Sequence, residues 1–225
     1  MTMKRLILAT SLSLAILLDS SAQDNSEPIL EYSDNADHLI IQLDYIPGRH
    51  FVGAEPEPHL RIYGDGRVLV HPFVVENHKG VREMYIQERE MSRLLNYMYD
   101  QGFMEFDSET VKAKKLHAID QRRRQARSQG NDMILRTTSD ASTFVMDVYL
   151  DEYKAAGSVG SPRKDFHHHV EWRALRFDAN EYPEVEELVA LQELAQTLRG
   201  YTNRAELVKI GEVPDSSRIE EKKRD

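Results

Sequence analysis

Residues 59–73, HLRIYGDGRVLVHPF, set a turn dipeptide between two β-prone runs. Asp65-Gly66 is the favoured chemistry of a two-residue type I′ turn, which needs positive φ at both central positions. Such a turn predicts a hairpin with Tyr63 opposite Val68 and Ile62 opposite Leu69, an apolar cross-strand pair for each face. A glycine loop cradling phosphate would need a longer pattern opening into a helix, and none follows Gly66. The stretch therefore commits the chain to a sheet with antiparallel strands.

Upstream, HLIIQLDY (38–45) is a β-prone apolar run stopped by Pro47 and Gly48, and GAEPEPH (53–59) reads as an extended loop. Downstream, QEREMSRLLNYMYDQGF (87–103) repeats Met91, Leu94, Leu95 and Met98 at helical spacing. Gly102 stands where a left-handed C-terminal cap belongs, and Phe103 is expected to fold back onto the same apolar face. The order of a strand, a Y-G-D-G-R-V hairpin (Tyr63 to Val68) and an L-L-x-x-M-x-x-x-G-F helix (Leu94 to Phe103) resembles uncharacterised exported bacterial proteins. The resemblance covers roughly residues 39–106. It implies an exported bacterial α+β module and carries over no catalytic residue and no substrate.

Residues 108–130 are good helix formers, with Ser108 as the expected N-cap and Gly130 as the stop. Lys112, Lys114, Lys115, Arg122, Arg123, Arg124 and Arg127 face only Glu109 and Asp120, and the apolar stripe is narrow (Val111, Leu116, Ile119). This predicts an exposed basic helix whose arginines Arg122, Arg123, Arg124 and Arg127 are candidate contacts for an anionic partner. DMILRTTSDASTFVMDVYL (132–150) reads as a second hairpin with its turn near Ser139 and Asp140, and 154–165 as a loop rich in glycine and serine. NEYPEVEELVALQELAQTLRGY (180–201) reads as a helix with Pro183 at its first position, acids at its start and Gly200 at its end. RAELVKI (204–210) is expected to add a short strand.

The first 22 residues combine Lys4 and Arg5, an apolar run from Leu6 to Leu18, and Ser20 and Ala22 before the expected cut, the layout of a secretory signal peptide. Residues 23–37 then read as a flexible leader, 38–210 as one globular domain and 211–225 as a disordered charged tail. No later segment is apolar enough to span a membrane, so the expected location is periplasmic or extracellular. The chain has no cysteine, which excludes disulfides, a thiol nucleophile and a cysteine-ligated metal. Its formal charge of -9 argues against general nucleic-acid binding.

The one cluster of metal-ligating residues is DFHHHVEW, 165–172. In a strand, Phe166, His168, Val170, Trp172 and Ala174 share one face, which is nearly all apolar; His167, His169, Glu171 and Arg173 share the other, which is polar. His168 is then packed inward and the other two histidines are wet. His167 and His169, about 7 Å apart at two strand rises, could converge on a zinc ion, with a third ligand drawn from His59, His71, His78 or Asp165. Arg173 on the same face opposes a cation there.

No nucleophile elbow, P-loop, zincin helix or calcium loop occurs in the chain. The expectation is an α+β domain with a mainly antiparallel sheet of about six strands, two packed helices and one exposed basic helix. Its leading function is that of a non-catalytic exported envelope module, needing no cofactor, that binds a protein or an anionic polymer. The alternative is a metal-dependent enzyme centred on His167 and His169.

Overall fold

A computed structural model describes residues 27–48, 59–72, 80–131 and 140–210. The hairpin forms, from β3 (Leu60–Tyr63) and β4 (Arg67–Val70), but in another register. Ile62 faces Val68 and Leu60 faces Val70, so the loop holds the three residues 64–66. Gly66 alone among them has positive φ, at 84°, and it donates its N–H to the Tyr63 carbonyl at 2.9 Å. This is the three-residue loop closed by a left-handed glycine, in place of the expected type I′ turn. The reason is non-local. A two-residue loop would put Val68 and Val70 on the face opposite Leu60 and Ile62, whereas the longer loop unites all four, each 0% exposed. Burying four such side chains, at about 1.5–3 kcal/mol each, overrides a local turn preference.

The sheet grows around one long strand, β6 (Thr143–Lys154). Strand β7 (Arg163–Arg173) takes one edge of β6 from Thr143↔Arg173 to Tyr153↔Arg163. The other edge is shared by β2 (Leu39–Ile46), against residues 143–148, and β1 (Ile29–Glu31), against residues 152–154. Beyond β2 the order runs β3, β4, β5 (Arg82–Tyr85) and β8 (Val208–Lys209), and every pairing is antiparallel. The fold is α+β as expected, but among the described residues the sheet has eight strands and not about six. The additional strands include β1, which lies inside the stretch read as a leader, and the short β5.

Alternation along these strands gives one fully apolar face. Ile41 and Leu43 of β2, Met146 and Val148 of β6 and Val170 of β7 join the hairpin residues there, all at 0% exposure. Helix α1 (Glu88–Asp100) adds Met91, Leu94, Leu95 and Met98 to the same contiguous core. Gly102 has φ 71° after it, as the C-terminal cap chemistry predicts, and Phe103 turns back into the core. Helix α2 (Ser108–Ser128) is capped by Asp107, not Ser108: the Asp107 carboxylate accepts from the Glu109 N–H at 3.1 Å.

The C-terminal region departs most from expectation. The histidine strand, whose inward face was expected to include Ala174, ends at Arg173; Ala174 has φ 61° and turns the chain into α3 (Leu175–Glu181). Helix α4 (Glu186–Tyr201) then starts three residues after Pro183, which sits in the α3–α4 turn and not at a first helical position. There are thus four helices among the described residues, where two packed helices and one exposed helix were expected. The stretch read as a signal peptide, the charged tail, His78 and residues 132–139 of the expected 132–150 hairpin, Ser139 of its turn included, lie outside the described residues. No helix among the described residues is long and apolar enough to cross a membrane.

Gly66 tests the hairpin. A Cβ there would stand 2.2 Å from the Ile86 carbonyl oxygen at a φ that L residues avoid. Gly66→Ala is therefore expected to lower the unfolding free energy by about 2 kcal/mol or more, read as a shifted urea midpoint; an unchanged midpoint would refute this account of the turn.

Candidate functional site

The histidine run divides as the strand pattern predicts. His168 lies on the core face, with its ring edge-to-face against Phe103 at 5.2 Å, and its Nε2 is buried without a hydrogen-bond partner. His167 and His169 stand on the wet face, with side chains 49% and 48% exposed. What brings them together is Asp147 of β6, which lies directly opposite His169 and is only 7% exposed. One carboxylate oxygen, Oδ1, lies 2.8 Å from His167 Nε2 and 2.8 Å from His169 Nδ1. A carboxylate accepts, so both rings donate from these atoms. Tyr149, opposite His167 in register, stacks on its ring at 4.4 Å with 3° between planes, and partial burial raises the Tyr149 pKa.

Asp147 is thus the residue that sequence reasoning missed. An acid in the middle of FVMDVYL was the signal available for it. Its oxygen occupies the point on which the two imidazoles converge. Among the described residues no group of three or more His, Asp or Glu side chains is arranged to hold a metal ion. His59, one of the third-ligand candidates, is buried with Nδ1 2.7 Å from the His71 carbonyl.

Burial lowers the pKa of both His168 and His59. The folded state therefore resists a proton that the unfolded chain accepts near pH 6.5. Stability from this source is complete above that pH and declines as pH falls through it. His168→Phe keeps an aromatic ring beside Phe103 and removes one of the two groups. Its loss of unfolding free energy between pH 7.5 and pH 5 should be smaller than the parent's, and an equal loss in urea titrations would refute the assignment.

The basic helix is less free than its sequence suggests. Its docked face is Val111, Lys115, Ala118 and Arg122, while Leu116 is 62% exposed. Arg122 donates from Nε and Nη2 to Glu184 at 3.0 and 2.8 Å, lies 3.6 Å from Glu181 and sits over the Tyr182 ring. Lys114 pairs with Glu187, and Arg123 with Asp120 at 3.5 Å within the helix. Arg124 and Arg127 remain on the exposed side. The helix thus uses much of its charge to hold the acidic α3–α4 corner.

At the centre of that corner Asp178 of α3 is 4% exposed, and its Oδ2 accepts from Trp172 Nε1 at 2.8 Å and Lys115 Nζ at 2.6 Å. Removing the carboxylate strands a partly buried ammonium and an indole N–H. Asp178→Ala should cost about 3 kcal/mol, and Asp178→Asn, which keeps an acceptor for the indole, distinctly less; equal denaturation midpoints for the two variants would contradict this.

Fixing α3 opens a cleft of about 440 Å³ between it, α4 and the ends of β2 and β6. The floor is apolar and buried: Phe144, Leu175 and Ala195. Around the rim stand exposed Arg176, Asn180, Gln196 and Arg199. The Arg199 guanidinium lies 4.8 Å over the ring of Tyr45, which itself packs edge-on against Phe144 at 5.9 Å. Burial raises the Tyr45 pKa, keeping the phenol neutral. The described lining includes two arginines and three side-chain amides but no aspartate or glutamate. Ala174, in its left-handed conformation, lines the cleft and donates its N–H to the Ser142 carbonyl at 3.0 Å. The chain matches no protein-family model, no curated protein and no solved structure.

Proposed function

We propose that the protein is a non-catalytic, exported binding module that takes an anionic group in the cleft beside α3. The observation that carries this reading is the charge of the lining: two arginines and, among the described residues, no carboxylate, in a chain of net charge -9. A concave site of one sign focuses the field and attracts the opposite charge even when the whole molecule repels it. Guanidinium groups present a planar fork that suits carboxylate and phosphate oxygens, and the amides of Asn180, Gln192 and Gln196 both donate and accept. The contact moves from the basic helix to the cleft because Arg122 and Lys114 already serve Glu184 and Glu187. Export is supported by the basic start, apolar run and small residues of positions 1–22 and by the likeness to exported bacterial proteins.

Two fluorescent probes of similar body test the proposal: anionic 1-anilinonaphthalene-8-sulfonate and neutral N-phenyl-1-naphthylamine. The parent should bind the anion more tightly, and Arg176→Ala combined with Arg199→Ala should weaken anion binding about tenfold or more. Binding of the neutral probe should stay unchanged in that variant, and so should its melting temperature. Equal affinity of the parent for both probes would overturn the reading.

A further inference from the structure

We infer that the ligand of this cleft is an amphipathic organic acid, one anionic head with a short alkyl or aryl body, and not a polyanion; the inference rests on the anion-binding reading above. The cleft has two chemically distinct zones. Its floor offers no charged group: the half-buried Tyr45, Ala174 and Phe177 supply its accessible apolar surface, over the buried Phe144, Leu175 and Ala195. Its rim carries the two arginines and the amides. A hydrophilic ion such as inorganic phosphate would satisfy the rim and leave the floor wetted. An apolar body lying on the floor removes that surface from water, worth about 0.8 kcal/mol per methylene.

Charge decides against a polymer. A polyanion reaching beyond the cleft meets a protein of net charge -9. Each further charge on the polymer adds repulsion, whereas a single head between Arg176 and Arg199 adds none. The volume of about 440 Å³ lies within the range of roughly 300–1,000 Å³ typical of clefts that take small organic molecules. Arg199 is steadied by the Tyr45 ring beneath it, so its planar fork is held ready and less side-chain freedom is lost on binding.

Displacement of 1-anilinonaphthalene-8-sulfonate from the full chain separates the possibilities. The competitors are acetate, butyrate, hexanoate, octanoate, octyl phosphate, octanamide and inorganic phosphate. Octanoate should compete best among the carboxylates, with affinity rising up to about fourfold per methylene. Octanamide should be at least tenfold weaker than octanoate. Gln196→Glu, an exposed change on α4 that adds a carboxylate to the rim, should weaken octanoate by about tenfold and octanamide distinctly less, because only the anion is repelled. Acetate or inorganic phosphate competing as well as octanoate would overturn the amphipathic ligand while leaving an anion site standing. Octanamide matching octanoate would instead overturn the anion site itself. Octyl phosphate exceeding octanoate would assign the head as phosphate within the same class.

Discussion

Asp178 is the constraint on which the C-terminal half depends. A carboxylate 4% exposed is costly unless its charge is matched and its lone pairs are used. Trp172 at the end of β7 and Lys115 in the middle of α2 supply those two partners from elements far apart in sequence. Helix α3 can therefore lie in few places, because Asp178 must reach both donors at once. That placement sets Leu175, Arg176 and Asn180 on the near side of the cleft, and it brings Glu181, Glu184 and Glu187 within reach of Arg122 and Lys114. Those outer ion pairs are partly exposed and individually weak. They follow from the buried one.

Asp147 solves the same problem on the other face of the sheet. It sits in the most deeply paired strand, between β2 and β7, where the backbone is fully engaged and water has little access. Two imidazoles across the strand pair satisfy it, and Tyr149 stacks on one of them. The three successive histidines thus divide their roles by the pleat. One fills the core beside Phe103, and two serve a buried acid. A wet face with paired histidines needs no bound ion to account for this arrangement.

Legibility in the sequence followed the range of the interaction. Helix α1, with its methionine and leucine stripe and its Gly102 cap, was readable because stripe and cap are local. The sorting of His167, His168 and His169 was readable because strand alternation is local too. The hairpin was readable as a hairpin, but its register was not: Asp65-Gly66 favours one loop, and the demand that Leu60, Ile62, Val68 and Val70 share a face selects another. The basic helix was legible as basic, but the acids that use its cations lie 62 to 73 residues away. The cleft was invisible, since its lining comes from positions 45, 141–144, 174–180 and 192–199. Only the fold brings these together.

Helix α3 was missed for a reason that bears on the site. No glycine or proline marks the end of β7; the reversal is made by Ala174 at φ 61°. For an alanine this conformation costs about 1–2 kcal/mol, so the surroundings must over-determine it. They do so twice. The Ala174 N–H is held by the Ser142 carbonyl, and one turn into α3 Asp178 is held by Trp172 and Lys115. A continued strand would carry Leu175 and Asp178 away from the core and leave the Asp178 carboxylate without its donors. The strained residue is therefore the device that turns a sheet edge into the wall of a cleft, and the buried ion pair offsets its cost.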